Sequence, residues 1–108
     1  MSGRISLDLS DDGAIATISI DNDDRRNAMT VEMWQTVPPL CDRINEDDRV
    51  RVVVFRGAGD VAFAAGADIS EFETVRKGAA GARNYDAIEH AGLTALQNIE
   101  RPTIAAIH

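Results

Sequence analysis

Val50 to Phe55 constrains this sequence most: an apolar, largely β-branched run interrupted only by Arg51. A strand with apolar side chains on both sides must be covered on both, which is the situation of a central, parallel strand in a layered α/β domain. Next comes the turn Arg56-Gly57-Ala58-Gly59-Asp60-Val61-Ala62-Phe63-Ala64-Ala65-Gly66-Ala67-Asp68-Ile69, and then a helix opened by Asp68 or Ser70, with Asp68-x-x-Glu71 or Ser70-x-x-Glu73 as a capping box. Strand, small-residue turn and helix N-terminus together make a place for an anion. Backbone N–H groups at a helix start lack internal partners, and the dipole adds partial positive charge. Ala64, Ala65, Gly66 and Ala67 let a ligand approach that backbone closely. Such a place suits a bound phosphate or a stabilised oxyanion.

The flanking segments supply the frame. Ile5, Leu7 and Leu9 alternate with polar residues, Asp11-Asp12-Gly13 is a turn signal, and Ala14 to Ile20 alternates again, so the spacing predicts a hairpin. Asp21 to Asn27 is polar and is expected outside the core; within it, Arg25-Arg26 reads either as a solvated loop with local ion pairs or as a basic contact for a phosphate-bearing ligand. Thr30 is a suitable N-cap for a helix carrying Met33, Val37, Leu40, Cys41 and Ile44, in which Pro38-Pro39 predicts a kink or a division into two short helices. Gly78-Ala79-Ala80-Gly81 is expected to break the helix opened near Asp68. A second helix then follows with Tyr85, Ile88, Gly92, Leu96 and Ile99 on one stripe, widened by Ala91 and Ala95. Arg101-Pro102 ends it, and Thr103 to Ile107 reads as a buried strand. A core-type strand at the end of the chain gives the expectation of a truncated domain, because parallel strands carry their ligand-binding loops beyond their carboxyl ends.

Composition removes several function classes. A net charge of −7 opposes nonspecific binding to nucleic acid or anionic membranes. The single cysteine, Cys41, allows neither an internal disulfide nor a cysteine-based metal cluster, and its place in a helical stripe favours a small core residue over a nucleophile. No metal site or separate cofactor is expected. There is no secretory leader pattern at residues 1–12 and no apolar run near the roughly 20 residues of a membrane helix, so the cytoplasm is the expected location.

Gly57-Ala58-Gly59-Asp60-Val61-Ala62 fits the dinucleotide fingerprint G-x-G-x-x-G/A, but its context is wrong. Asp60 puts a carboxylate in the phosphate turn, a second small-residue turn occupies the place where the helix should begin, and residues 74–86 contain no strand to carry a ribose-binding acid. Ala62-Phe63-Ala64-Ala65-Gly66-Ala67-Asp68-Ile69 instead resembles the first oxyanion-hole motif of the crotonase (enoyl-CoA hydratase/isomerase) superfamily. Asn22 to Thr30 is similar to that family's CoA-binding loop, Asp48 to Asp60 to the strand entering the motif, and Glu100 to His108 to the strand that introduces the second oxyanion segment.

The resemblance implies an α/β, crotonase-like (ClpP/crotonase) fold of repeated β-β-α units, here residues 1–108 as the N-terminal portion of one domain, ending after a core strand. It implies an acyl-CoA substrate whose thioester enolate is stabilised by backbone N–H groups, with hydration of a 2-enoyl-CoA in fatty-acid metabolism as the expected reaction. Coenzyme A would enter as part of the substrate. By position, the Ala67 N–H would be an oxyanion donor and Gly66 would shape the turn. Arg26, Ala28, Ala65, Ala67, Asp68 and Ile69 would contact the acyl-CoA. The second donor and the acid/base carboxylates of the family fall beyond His108. Glu71, Glu89, His90 and His108 are expected to be solvated or structural rather than catalytic, and Ser70 at a helix cap is a poor nucleophile for a peptidase of this fold. A homo-oligomer, trimer or hexamer, follows from the resemblance. The alternative is an inactive fragment that serves only as an acyl-CoA-binding or oligomer-forming module.

Overall fold

The computed structural model describes residues 3–59, 63–64 and 78–106. The two alternating segments form the hairpin: strand β1 (Arg4–Leu9) pairs antiparallel with β2 (Ile15–Asp21), Ile5 opposite Ile20 and Leu7 opposite Ile18. Gly13 turns the chain at φ 77°, a conformation that only glycine adopts without strain. Asp12 fastens this turn by accepting from the Ala14 N–H at 3.0 Å and the Ser10 hydroxyl at 2.9 Å.

Helix α1 (Val31–Glu46) starts where expected. Thr30 Oγ1 accepts from the Met33 N–H at 3.2 Å, while the Met33 sulfur accepts from the Thr30 N–H at 3.4 Å, a reciprocal cap in which a thioether takes the place of a carboxylate. The expected kink or division at Pro38-Pro39 is not found, because α1 runs unbroken through both prolines. Prolines at these positions cannot donate to the Trp34 and Gln35 carbonyls, and their rings crowd the preceding turn. The helix nevertheless continues because Met33, Val37, Leu40, Cys41 and Ile44 are all buried along one stripe spanning the prolines, and packing rather than propensity holds a helix in a protein. Pro38 is half-buried and Pro39 exposed, so the defect lies off the core stripe.

After α1 the chain enters β3 (Val52–Gly57), which lies parallel to β2 with Ile18 beside Phe55. Helix α2 (Gly78–Gln97) returns it to β4 (Thr103–Ala106), parallel to β3 with Phe55 beside Ala105. The sheet order is β1-β2-β3-β4, so β3 is an interior parallel strand as its composition predicts. Gly78 to Gly81 form the first turn of α2 rather than a break between helices; the expected helix before them lies outside the described residues. Along α2, Tyr85 and Gly92 are buried, and Ala95 and Leu96 pack against the core, as does Ile99 just past its end, whereas Ala91 is exposed and falls outside the stripe. At Gly92 the two helices come close: a Cβ built there would stand 2.8 Å from Trp34 Cε3 and 3.3 Å from the Trp34 carbonyl oxygen.

The C-terminal ends of the two helices are tied together by side chains. Asn45 Oδ1 accepts from the Glu100 N–H at 2.9 Å, and its Nδ2 donates to the Asn98 carbonyl at 3.2 Å. The Arg101 guanidinium donates to the carbonyls of Val50 at 2.7 Å, Glu100 at 3.0 Å and Asp47 at 3.2 Å. This fork holds the entrance of β4 against the entrance of β3.

The core lies on one face of the sheet only. Register places Leu7, Ile18 and Phe55 in one row and Leu9, Ala16 and Val53 in the next, and against these pack α1 and the last turns of α2. Val53 on that face is 0% exposed. The opposite face carries Ile15 beside Val52 and Val54 beside Ile104, with Ile15 44% and Ile104 54% exposed. The expected two-sided cover of β3 and burial of β4 are therefore corrected: all of Thr103 to Ala106 is exposed, because β4 is the edge strand and Ile104 lies on the face that no described helix covers.

Candidate functional site

The parallel register brings the carboxyl ends of β2 and β3 side by side, and the chain leaves each through an unusual loop. After β2, residues 23–25 form a single 3-10 turn, closed by the Arg25 N–H donating to the Asn22 carbonyl at 2.9 Å and the Arg26 N–H to the Asp23 carbonyl at 3.0 Å. Arg26 and Asn27 then adopt φ 55° and 60° in succession, a left-handed pair without glycine. Left-handed backbone costs a side-chain-bearing residue about 1–2 kcal/mol, and asparagine is among those that tolerate it best. The pair reverses the chain so that Arg26 stands exposed at the tip while Ala28, Met29 and Thr30 turn inward to start α1.

Asp21 to Asn27, expected to lie outside the core, contains two of its buried polar groups: Asn22 is 7% and Asn27 0% exposed. Each has its carboxamide satisfied by backbone, as burial requires. Asn22 Nδ2 donates to the Ala28 carbonyl at 2.9 Å. Asn27 Oδ1 accepts from the Asn22 N–H at 2.8 Å, and Asn27 Nδ2 donates to the Ala58 carbonyl at 3.0 Å. Neither residue was singled out from sequence. The available signal was an asparagine next to a chain reversal, where its short amide can replace a backbone partner.

After β3, the Ala58 N–H donates to the Ile20 carbonyl at 2.8 Å, so the first turn residue stays attached to β2. Gly59 has φ 74°, and the Asp23 carboxylate packs against it; a Cβ on Gly59 would lie 2.6 Å from Asp23 Cγ. An aspartate seated on the Gly57–Gly59 turn puts a negative charge against it and opposes a phosphate there. The dinucleotide reading therefore fails on geometry as well as on sequence context.

Of the residues expected to contact a ligand, Arg26 and Ala28 share the loop after β2. Arg26 is exposed, whereas Ala28 is 8% exposed and its carbonyl is engaged by Asn22. Ala65, Gly66, Ala67, Asp68 and Ile69 lie outside the described residues. Just before them, Phe63 packs against the core and Ala64 borders a cavity of about 200 Å³. That cavity lies between the sheet (Ile5, Ile18, Ile20, Phe55) and α1 (Trp34, Val37, Leu40), and its described lining is apolar. The Trp34 indole Nε1 is buried with no hydrogen-bond partner among the described residues.

Titration separates structural groups from chemical ones. Cys41 is buried, and desolvation first, then the nearby Asp42 charge, push its thiol up to about 11, so it is inert as a nucleophile at neutral pH, in keeping with a core role. Asp47 is held down to about 2, first by the Arg49 guanidinium hydrogen bond and then by the Arg49 N–H; it fastens the α1–β3 connection far from the two loops. Among the described residues, no group of three or more His, Cys, Asp or Glu could hold a metal ion, and no helix is long and apolar enough to cross a membrane.

Two parallel strands that end in a loop with an exposed arginine and a glycine-bearing turn, backed by a helix layer on one face, point to a family only when joined to sequence likeness. That likeness is extensive. A model of the enoyl-CoA hydratase/isomerase family matches residues 10–108, and the chain belongs to that family. It is 28% identical over 100 residues to a short-chain-enoyl-CoA hydratase of Clostridium acetobutylicum, covering 93% of this chain and 38% of that one. Among solved structures, it is similar to an enoyl-CoA hydratase/carnithine racemase from Magnetospirillum magneticum, with 41% identity, a TM-score of 0.89, and coverage of 95% of this chain and 38% of that one. It is also similar to an enoyl-CoA hydratase from Bacillus anthracis, with 27% identity and a TM-score of 0.84. The fold is thus crotonase-like, and the chain spans well under half the length of these relatives.

Proposed function

We propose that this chain is the acyl-CoA-binding N-terminal part of an enoyl-CoA hydratase/isomerase, and that its contribution to catalysis is one half of an oxyanion hole. The observation that supports this reading most is the family match across residues 10–108, a range that takes in the Arg26 loop, β3 and the Ala65–Ile69 segment. The Ala67 N–H donates to the thioester oxygen. When water adds to the β-carbon of a 2-enoyl thioester, the double-bond electrons move toward that oxygen, and a fixed backbone donor meets the new charge without reorganising. Loss of one such donor costs about 2.7–4 kcal/mol of transition-state stabilisation. Gly66 shapes the turn, Ala65, Asp68 and Ile69 flank the bound thioester, and Arg26 and the loop at Ala28 meet its nucleotide end. A local cation there offsets the −7 net charge that would otherwise repel an anionic ligand.

The second donor and the acid/base groups lie outside these residues, so a whole domain is the enzyme. The alternative is an acyl-CoA-binding or oligomer-forming module that turns nothing over. One pair of measurements separates the readings. Crotonyl-CoA binding is followed by calorimetry, and its hydration by loss of the enoyl-thioester absorbance. In the protein as purified from its own cell, binding with turnover supports the enzyme, and binding without turnover the acyl-CoA-binding module. Failure to bind crotonyl-CoA at millimolar concentration would refute both of these and leave only an oligomer-forming role.

A further inference from the structure

We infer that Asn27 is a positioning residue that couples the Arg26 loop to the Ala58–Gly59 turn after β3, so that a ligand held at the loop steadies the turn. The inference rests on the acyl-CoA reading for the identity of the ligand, and on geometry for the coupling. Asn27 is fully buried, and the two ends of its carboxamide serve different elements. The neighbours fix which end is which. The Asn22 N–H can only meet an acceptor, so Oδ1 faces it at 2.8 Å; the Ala58 carbonyl can only meet a donor, so Nδ2 faces it at 3.0 Å.

The first of these bonds closes the loop on itself. The second satisfies the buried Nδ2 by crossing 31 positions of sequence to the turn after β3, and so ties two loops together. Ala58 is held on its other side as well, its N–H donating to the Ile20 carbonyl, and Asp23 packs on the adjacent Gly59. The Ala58 peptides are therefore clamped between the end of β2 and the loop that follows it. In return, the loop keeps its left-handed pair, φ 55° at Arg26 and 60° at Asn27, a shape that non-glycine residues hold only with outside support. Displacement of either segment strains the other through the Asn27 amide and the Asp23–Gly59 contact.

The test is amide hydrogen exchange by NMR in the full chain, with adenosine 3′,5′-bisphosphate as the probe, a nucleotide fragment with no thioester. In the wild type, the probe is expected to slow exchange at residues 25–28 and also at 58–59, each by about fivefold or more. Asn27→Asp keeps Oδ1 and the side-chain shape but sets a carboxylate oxygen against the Ala58 carbonyl. It should retain protection at residues 25–28 and lose it at 58–59. Asn27→Gly, which accommodates the left-handed backbone but removes both carboxamide bonds, should also lose protection at 58–59 and serves if the aspartate variant does not fold. Wild-type protection confined to 25–28, or protection at 58–59 surviving in a folded variant, overturns the coupling. If the probe protects neither segment, the acyl-CoA reading is what fails. The tether is then judged without ligand: either variant must speed exchange at Ala58 and Gly59 about tenfold, and unchanged rates there overturn it.

Discussion

Gly92→Ala puts the packing of the two helices to a quantitative test, because two opposing terms can each be read from the structure. Alanine in a helix interior is favoured over glycine by about 0.8–1.0 kcal/mol. Against that, the new Cβ would stand 2.8 Å from Trp34 Cε3 and 3.3 Å from the Trp34 carbonyl oxygen. The ring has some freedom, since it borders the 200 Å³ cavity. The carbonyl has little, since it belongs to the backbone of α1 one turn before Pro38. Overpacking of this kind costs about 1–3 kcal/mol, so the net expectation is destabilisation by about 1 kcal/mol. In a Trp34→Leu background the ring conflict disappears, and the same substitution should stabilise by about 0.5 kcal/mol, a coupling near 1.5 kcal/mol between neighbours. Urea unfolding followed by far-ultraviolet circular dichroism on all four proteins gives the cycle. A Gly92→Ala protein more stable than wild type by the full propensity gain, or a coupling within about 0.5 kcal/mol of zero, would refute the close-approach account.

Three further outcomes follow from other parts of the fold. Asp47→Asn should destabilise the protein at neutral pH, and the difference from wild type should close on acidification: Asp47 is depressed in the folded state, so its contribution is complete above its ordinary value of 3.8 and is lost as pH falls through about 2. A difference that is independent of pH across that window contradicts the role given to Arg49. Cys41, buried with a thiol near 11, should react with a thiol reagent at pH 8 only at the rate of unfolding, and rapid stoichiometric labelling of native protein would contradict its burial. The 108-residue chain alone should self-associate through the face bearing Ile15, Val52, Val54 and Ile104, and Ile104→Asp should weaken that association. A sharp monomer boundary in sedimentation velocity with a cooperative melt would count against it.

Those parts of the fold that a periodic pattern specifies were legible in the residues. The hairpin, the Thr30 cap, the interior parallel β3 and the buried Cys41 all follow from spacing and residue type. Pro38-Pro39 misled because a local rule was applied where burial of Val37, Leu40, Cys41 and Ile44 outweighs it. Thr103 to Ala106 misled for a different reason: composition tells what a strand could be packed against, whereas cover depends on what lies beside it. The polarity of Asp21 to Asn27 concealed its burial, since an asparagine whose amide meets backbone groups can be as enclosed as a valine. For the site, Arg26 and Ala28 could be placed in one loop from sequence, but the cross-link from Asn27 to Ala58 joins positions that no local pattern relates.

The parallel register described above also bears on the order in which structure can appear. Among the four strands, only β1 and β2 pair through a tight turn; β2–β3 and β3–β4 each span a helical crossover. Contacts between residues distant in sequence carry a loop-closure entropy that is offset only once they form, which slows folding. The hairpin is therefore the one pairing open to a chain still emerging from the ribosome, and β3 gains its neighbour only when α1 has collapsed onto the hairpin. Held at its entrance by the Arg101 fork and exposed along its length, β4 is the last strand to join and the first to leave.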